Sequence, residues 1–142
     1  MRLELVPLPV SDVDRSKAFY ADTIGFVLDH DVAPGNGMRI VQLTPPGSAC
    51  SIAFGTGMGT GEPGGSTVNG LHLVVDDIAA VRAELISRGA DVSEVRELGG
   101  VKFASFSDPD GNTWELQDLT ALAQLRKLYT SSPKRLSPGV AA

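Results

Sequence analysis

Asp108-Pro109-Asp110-Gly111-Asn112 is followed at once by Thr113-Trp114-Glu115-Leu116, a tight turn that runs into a strand carrying a carboxylate. Pro109 presets φ, Gly111 accepts a positive φ, and the Asp and Asn side chains can cap backbone groups of the turn. A turn held this firmly aims Glu115 reproducibly, as a ligand or an acid–base group requires. The plainer reading is a hairpin turn with a surface glutamate. The chain has two histidines, His30 and His72, and one cysteine, Cys50. Two histidines restrict any metal site, and a lone cysteine permits neither an intrachain disulfide nor a cysteine-based zinc centre. Cys50 has no neighbouring base and reads as a buried thiol. Ser16 has no His or Asp partner nearby in sequence, so a hydrolase triad has no support. His30, between Asp29 and Asp31, reads as a solvated residue at a strand end.

The elements that must position these groups occur twice. Residues 3–10 read as a strand, Ser11 and Asp12 as a helix start, and residues 13–23 as a helix stopped by Gly25. Extended segments follow at 26–31, 38–43 and 50–54, separated by Gly/Pro/Asn-rich turns. The order then repeats. Residues 71–75 form a strand, Asp77 starts a helix over 78–87 that ends near Gly89, and strand-like segments lie near 91–97, 101–106 and 113–117. Val10, Asp12 and Ala18 recur as Val75, Asp77 and Ala83, 65 positions on, and residues 46–51 match 110–115, 64 positions on. Each half is therefore β-α-β-β-β. Between them, residues 55–69 are rich in Gly, Ser and Thr. A phosphate loop would need a helix after it, whereas here a strand follows, so the tract reads as a linker. Residues 119–129 suggest a last amphipathic helix with Leu122, Leu125 and Tyr129 on one side, and the chain from Thr130 on reads as a loose tail.

At 142 residues the chain is long enough for one domain with a real core. Its net charge of −5 argues against nucleic acid, whose phosphates select a basic face. No apolar run approaches membrane-spanning length, and Met1-Arg2-Leu3-Glu4 does not open a signal peptide. A reduced, cytoplasmic setting is expected.

Pro9-Val10-Ser11-Asp12 with Arg15-Ser16-Lys17-Ala18-Phe19-Tyr20 and Gly25-Phe26 resembles the first-module signature of the vicinal oxygen chelate superfamily. Asp108-Pro109-Asp110-Gly111-Asn112 with Glu115-Leu116 resembles its second-module signature. That superfamily includes glyoxalases, bleomycin-resistance proteins, extradiol dioxygenases and fosfomycin-resistance enzymes. The resemblance covers roughly residues 3–118. It implies an α+β fold of two tandem βαβββ modules forming a curved mixed sheet around a cleft, with helices on the outer face. The expected organisation is one domain over 1–118 (modules at about 3–54 and 70–118, linker at about 55–69), then a helix and tail over 119–142. Strand alternation places His72 and Val74 on the cleft face of one strand and Glu115 and Gln117 on that of another. Ser51 and Ala53 would face the cleft from the first module, with Leu5 and Gln42 beside them.

In metal-using members of the superfamily, the first and last strands of each module supply ligands. Counting seven residues back from Asp12 and Asp77 gives Leu5 and Gly70; the last-strand positions are Ser51 and Glu115. Only Glu115 is a good ligand, and catalysis normally needs about three. His72, two residues beyond Gly70, could replace a missing ligand or pair with Glu115 as an acid–base couple. Arg96 and Lys102, flanking Gly99-Gly100, would either meet an anionic ligand at the cleft rim or be solvated loop charges. The expectation is a small-molecule-binding protein with no cofactor, its ligand oriented by Leu5, Gln42, Ser51, Ala53, Val74 and Gln117, with His72 and Glu115 as the groups fit for chemistry. The alternative is a lyase, isomerase or dioxygenase that uses one divalent ion (Zn, Ni, Mn or Fe) on Glu115 and His72 and acts on vicinal oxygens. The resemblance also implies a homodimer, formed side by side or by exchange of modules.

Overall fold

The computed structural model describes residues 1–59 and 65–130, without the side chains of residues 129 and 130. The expected tail past residue 130, the middle of the linker and the side chain of Tyr129 lie outside the described residues. The first module runs β1 (Leu5–Pro7), α1 (Val13–Ala18) continuing as a π-helical segment (Phe19–Ile24), β2 (Val27–Gly35), β3 (Met38–Thr44) and β4 (Ser51–Thr56). The second runs β5 (Leu71–Val75), α2 (Ile78–Ser87), β6 (Arg96–Leu98), β7 (Val101–Ser107) and β8 (Thr113–Asp118); α3 (Thr120–Thr130) follows. The fold is α+β, with two tandem βαβββ modules as the duplication predicts. No described helix is long and apolar enough to cross a membrane.

Local chemistry explains the helix ends. Asp12 and Asp77 cap α1 and α2 by accepting from the backbone N–H of Arg15 and Ala80, each at 3.1 Å. Gly25 ends the π segment at φ +89°, a conformation that leaves Tyr20 O to accept from Gly25 N and Phe26 N at 3.0 and 2.8 Å. The expected strand over 3–10 shortens to Leu5–Pro7, because Pro7 and Pro9 cannot donate to a ladder. The strand expected at 50–54 instead runs through Thr56, extended by its pairing with Arg39 and Ile40 of β3.

The strands form two four-stranded sheets, ordered β1-β4-β3-β2 and β5-β8-β7-β6. The first and last strands of each module pair in parallel and the other pairs are antiparallel. Each module thus contributes its own mixed sheet, as the resemblance implies; both sheets are open, with β1 and β5 each at an edge.

One core joins the modules. Leu8, Val10, Phe54 and Leu43 of the first belong to the same buried cluster as Phe106, Trp114 and Leu116 of the second. Tyr20 is its centre: its ring lies 5.6 Å from Phe26, 6.0 Å from Phe54 and 5.9 Å from Trp114. Each large side chain buried here contributes about 1.5–3 kcal/mol. The helical segment bearing Tyr20 is thus held between the sheets, touching Phe54 of its own and Trp114 of the other.

The 108–112 turn has a role that the sequence did not disclose. Asp108, only 5% exposed, accepts from Tyr20 Oη at 2.7 Å, from Asn112 Nδ2 at 2.7 Å, and from the backbone N–H of Asp110 and Asn112 at 2.9 Å each. Asn112 Nδ2 also reaches Pro9 O at 3.0 Å, and Trp114 Nε1 donates to Tyr20 Oη at 3.0 Å. Burial, reinforced by the neighbouring Asp108 carboxylate, pushes the Tyr20 phenol far above its ordinary pKa, so it stays a donor. On the rim, Asp110 Oδ1 accepts from Ser11 N at 3.1 Å and Ser11 Oγ at 2.6 Å. The turn therefore clamps the second module to the start of the first module's helix, besides launching the strand that bears Glu115.

Candidate functional site

Alternation along β8 buries Trp114, Leu116 and Asp118 and leaves Glu115 and Gln117 half-buried on the opposite face. On β5 beside it, Leu71, Leu73 and Val75 pack toward the core while His72 and Val74 are exposed. Parallel pairing sets His72 next to Glu115 and Val74 next to Gln117. In the first module the same pairing sets Leu5 next to Ser51 and Pro7 next to Ala53. This register corrects the count from the helix caps. The residue beside Glu115 is His72; Gly70 lies before the strand, its N–H bonded to Thr113 O at 3.1 Å and Thr113 Oγ1 at 2.7 Å. The capping Asp follows the paired first-strand residue by seven positions in the first module (Leu5 to Asp12) and by five in the second (His72 to Asp77), which displaces the count.

The polar side chains of the second sheet are paired, but not as an acid–base couple between His72 and Glu115. His72 Nδ1 is 2.9 Å from Gln117 Oε1, so it carries the proton of that bond. Glu115 belongs to a closed ring. Ser105 Oγ donates to Glu115 Oε1 at 2.7 Å, Arg96 Nη2 donates to Glu115 Oε2 at 2.9 Å, and Arg96 Nη1 donates to Ser105 Oγ at 3.0 Å. Arg96 Nη1 lies 3.5 Å from Ser93 Oγ, which in turn accepts from Ser105 N at 2.8 Å. The ring borders a hollow of about 470 Å³ lined by His72, Arg96, Glu97, Leu98, Phe103 and Glu115. Phe103 meets His72 edge to face with centroids 6.3 Å apart. Val74 at 64% and Leu98 at 76% exposure complete an apolar surface open to solvent.

The first sheet carries a corresponding but differently charged set. Ser51 Oγ and Thr44 Oγ1 are 2.7 Å apart, and Thr44 Oγ1 donates to Asp29. His30 is solvent-exposed on the edge strand β2, as expected, and its Nε2 is 3.1 Å from Gln42 Oε1, the strand residue expected to line the cleft. Ser51 and Ala53 are only 6% and 1% exposed. Leu5 and Gln42 are half-buried. Cys50 is free and partly buried.

Sequence reasoning placed Arg96 at a turn as one of two possible rim cations. The structure puts it on β6, cross-strand from Phe103 and over Ser105, while Lys102 pairs with Asp118 on the core-side face of the same sheet. Ser105, Phe103 and Leu98 were not singled out. Their signal is the period of two along 101–107, readable only once the pairing register of β6 and β7 is known.

The superfamily implies a divalent metal in its enzymes, so the donor set matters. By register the four ligand positions are Leu5, Ser51, His72 and Glu115. Leu5 cannot coordinate, Ser51 is a weak ligand already bonded to Thr44, and Glu115 gives one oxygen to a guanidinium and the other to a hydroxyl. Among the described residues no three His, Cys, Asp or Glu side chains converge on one point. These residues do not fit a resident divalent ion, which wants about three protein ligands.

Fold and site together define a duplicated βαβββ protein that presents a ligand-sized hollow on its second sheet. The family model of the Glyoxalase/Bleomycin resistance protein/Dioxygenase superfamily matches residues 2–116, and the chain belongs to that superfamily. TnmS3, an antibiotic binding protein from Streptomyces sp. CB03234, is 36% identical, with a TM-score of 0.72, over 83% of this chain and 95% of that one. A glyoxalase/bleomycin resistance protein from the same organism is 37% identical over 82% of this chain and 100% of that one, with a TM-score of 0.69. A superfamily member from Sphaerobacter thermophilus is 30% identical over 83% of this chain and 97% of that one, with a TM-score of 0.70. A comparison with curated proteins returned no match.

Proposed function

We propose that this protein binds a small, mainly apolar organic molecule on the face of its second sheet and holds it without chemistry and without a metal. The observation that carries this is the state of Glu115. The one carboxylate at the family's ligand positions is engaged through both oxygens by Arg96 and Ser105, beside exposed Val74 and Leu98 and half-buried Phe103. Exposed apolar groups around a few fixed polar ones suit ligand capture. The antibiotic-binding role named for TnmS3 supports the same reading.

A second copy of the chain completes the hollow. In each module the residues opposite the candidate face (Ile52 and Phe54; Trp114 and Leu116) enter the common core. Both candidate faces therefore look away from that core, and one chain alone does not close them over a ligand. A homodimer that brings Gln42 and Ser51 of one copy over His72 and Glu115 of the other would do so.

Two measurements test the proposal. Calorimetric titration of apo protein with zinc, nickel, manganese and ferrous iron should give no submicromolar binding; such binding, if abolished in Glu115→Ala, would replace this reading with metal-dependent chemistry. Sedimentation equilibrium should show a dimer that Leu98→Asp weakens.

A further inference from the structure

We infer that the polar anchor of the hollow is the Arg96 guanidinium, and that it selects a neutral ligand bearing a carbonyl oxygen. This rests on the binding role proposed above and names the ligand chemistry that the same site would take.

Each Glu115 oxygen already accepts one hydrogen bond within the ring closed by Arg96 and Ser105, which uses about half of the carboxylate's acceptor sites. The ring fixes Arg96 as a donor. Nη1 is aimed at Ser105 Oγ and Nη2 at Glu115 Oε2, which orients the planar guanidinium by two separate atoms. A guanidinium has five N–H groups, more than these bonds use. The Arg96 side chain is 52% exposed at the wall of the hollow, so its remaining donors are within reach of an entering molecule.

Charge then decides between acceptors. One carboxylate, Glu115, lies on the same face as the guanidinium, while Glu97 is cross-strand from Lys102. A ligand anion would gain hydrogen bonds from Arg96 and lose to the Glu115 carboxylate. A carbonyl oxygen takes the same hydrogen bonds without that repulsion, and its apolar remainder can cover Leu98 and Phe103. A hydrocarbon of the same shape would leave the Arg96 donors facing apolar atoms once water is displaced, which costs affinity. The pattern of acceptor, neutrality and apolar body therefore follows from this one ring.

The test uses three matched probes, acetylnaphthalene, isopropenylnaphthalene and naphthoate, substituted at the same ring carbon, titrated into full-length protein by amide NMR. The ketone should bind about tenfold more tightly than the alkene or the carboxylate, the scale of one charge-assisted hydrogen bond. In Arg96→Gln/Glu115→Gln, which removes the charge pair together, ketone and alkene should come within about twofold of each other while the spectrum stays folded. Arg96→Lys, which keeps the charge and loses the planar fork, should retain only part of the preference. Equal binding of ketone and alkene to the parent protein, or a ketone preference that survives in the double variant, would overturn the anchor while leaving the small-molecule reading intact. Naphthoate binding best would overturn the neutrality argument. Perturbations by none of the probes at millimolar concentration would sink both readings.

Discussion

The two modules share one plan and diverge where their sheets carry polar groups. At the last-strand position the first has Ser51 and the second Glu115. Each is bonded to a hydroxyl on the neighbouring strand, Thr44 or Ser105, and each hydroxyl is bonded to a charged residue on the outer strands, Asp29 or Arg96. The same hydroxyl-centred chain thus ends on an anion in one module and on a cation in the other. The residues one position earlier also differ. There the second module has Trp114, 3% exposed and bonded to Tyr20, while the first has the partly buried thiol of Cys50. Duplication preserved the frame; the halves then divided the labour, the second supplying the large aromatic side chain of the joint and a guanidinium-bearing face.

Breaking the joint should show the greatest asymmetry. Trp114→Ala removes a ring packed on Tyr20, Phe26 and Phe106 and should cost about 3–5 kcal/mol in chemical denaturation. Cys50→Ala, at the matching position, should cost under about 1 kcal/mol. Tyr20→Phe comes next. It leaves Trp114 Nε1 without its acceptor and takes one donor from buried Asp108, and should cost about 2–3 kcal/mol. If Tyr20→Phe were neutral, the clamp between the modules would not depend on this hydroxyl.

Changes on the faces should move binding more than stability. Glu115→Gln breaks a pair between half-exposed groups and should shift the midpoint by under about 1 kcal/mol. The smallest effect is a pH dependence in the first module. Arg39 first, then Lys17, hydrogen-bond the Asp31 carboxylate and hold its pKa well below the usual carboxylate range. A lowered folded-state pKa adds stability above the unfolded value and loses it as pH falls through the folded one. The stability difference between the parent and Asp31→Asn should stay level from neutral pH to about 5 and shrink below that.

Much of this architecture was legible before any coordinates. The spacing of 64–65 residues, the capping Asp12 and Asp77 and the Gly25 stop are local signals, and local signals carry through to structure because they act over one turn of chain. The alternation of β8 also held, with Trp114 and Leu116 inside and Glu115 and Gln117 outside. What local reasoning could not supply was partnership. Asp108 and Asn112 have the composition of a turn, and nothing nearby in sequence announces that Tyr20, 88 residues away, completes their hydrogen bonds. Arg96 read either as a rim cation or as a loop charge at the end of a strand-like segment near 91–97, because β6, Arg96–Leu98, is only three residues long, too short for a periodic signal to show its face. Counting back from Asp77 gave Gly70 because a count assumes connections of equal length, and the parallel register does not.

The sequence by itself determined the duplication, the order of elements in each half and which side of the strands at 50–54, 71–75 and 113–117 is apolar, because those properties reside in spacing, caps and side-chain polarity. Only the tertiary structure decided that the halves share one core through Tyr20 and Trp114, that His72 bonds Gln117, and that Glu115 is held by Arg96 and Ser105. Those pairings depend on which distant strands lie side by side and in what register, and a shift of one residue in that register would turn every side chain to the other face of its sheet.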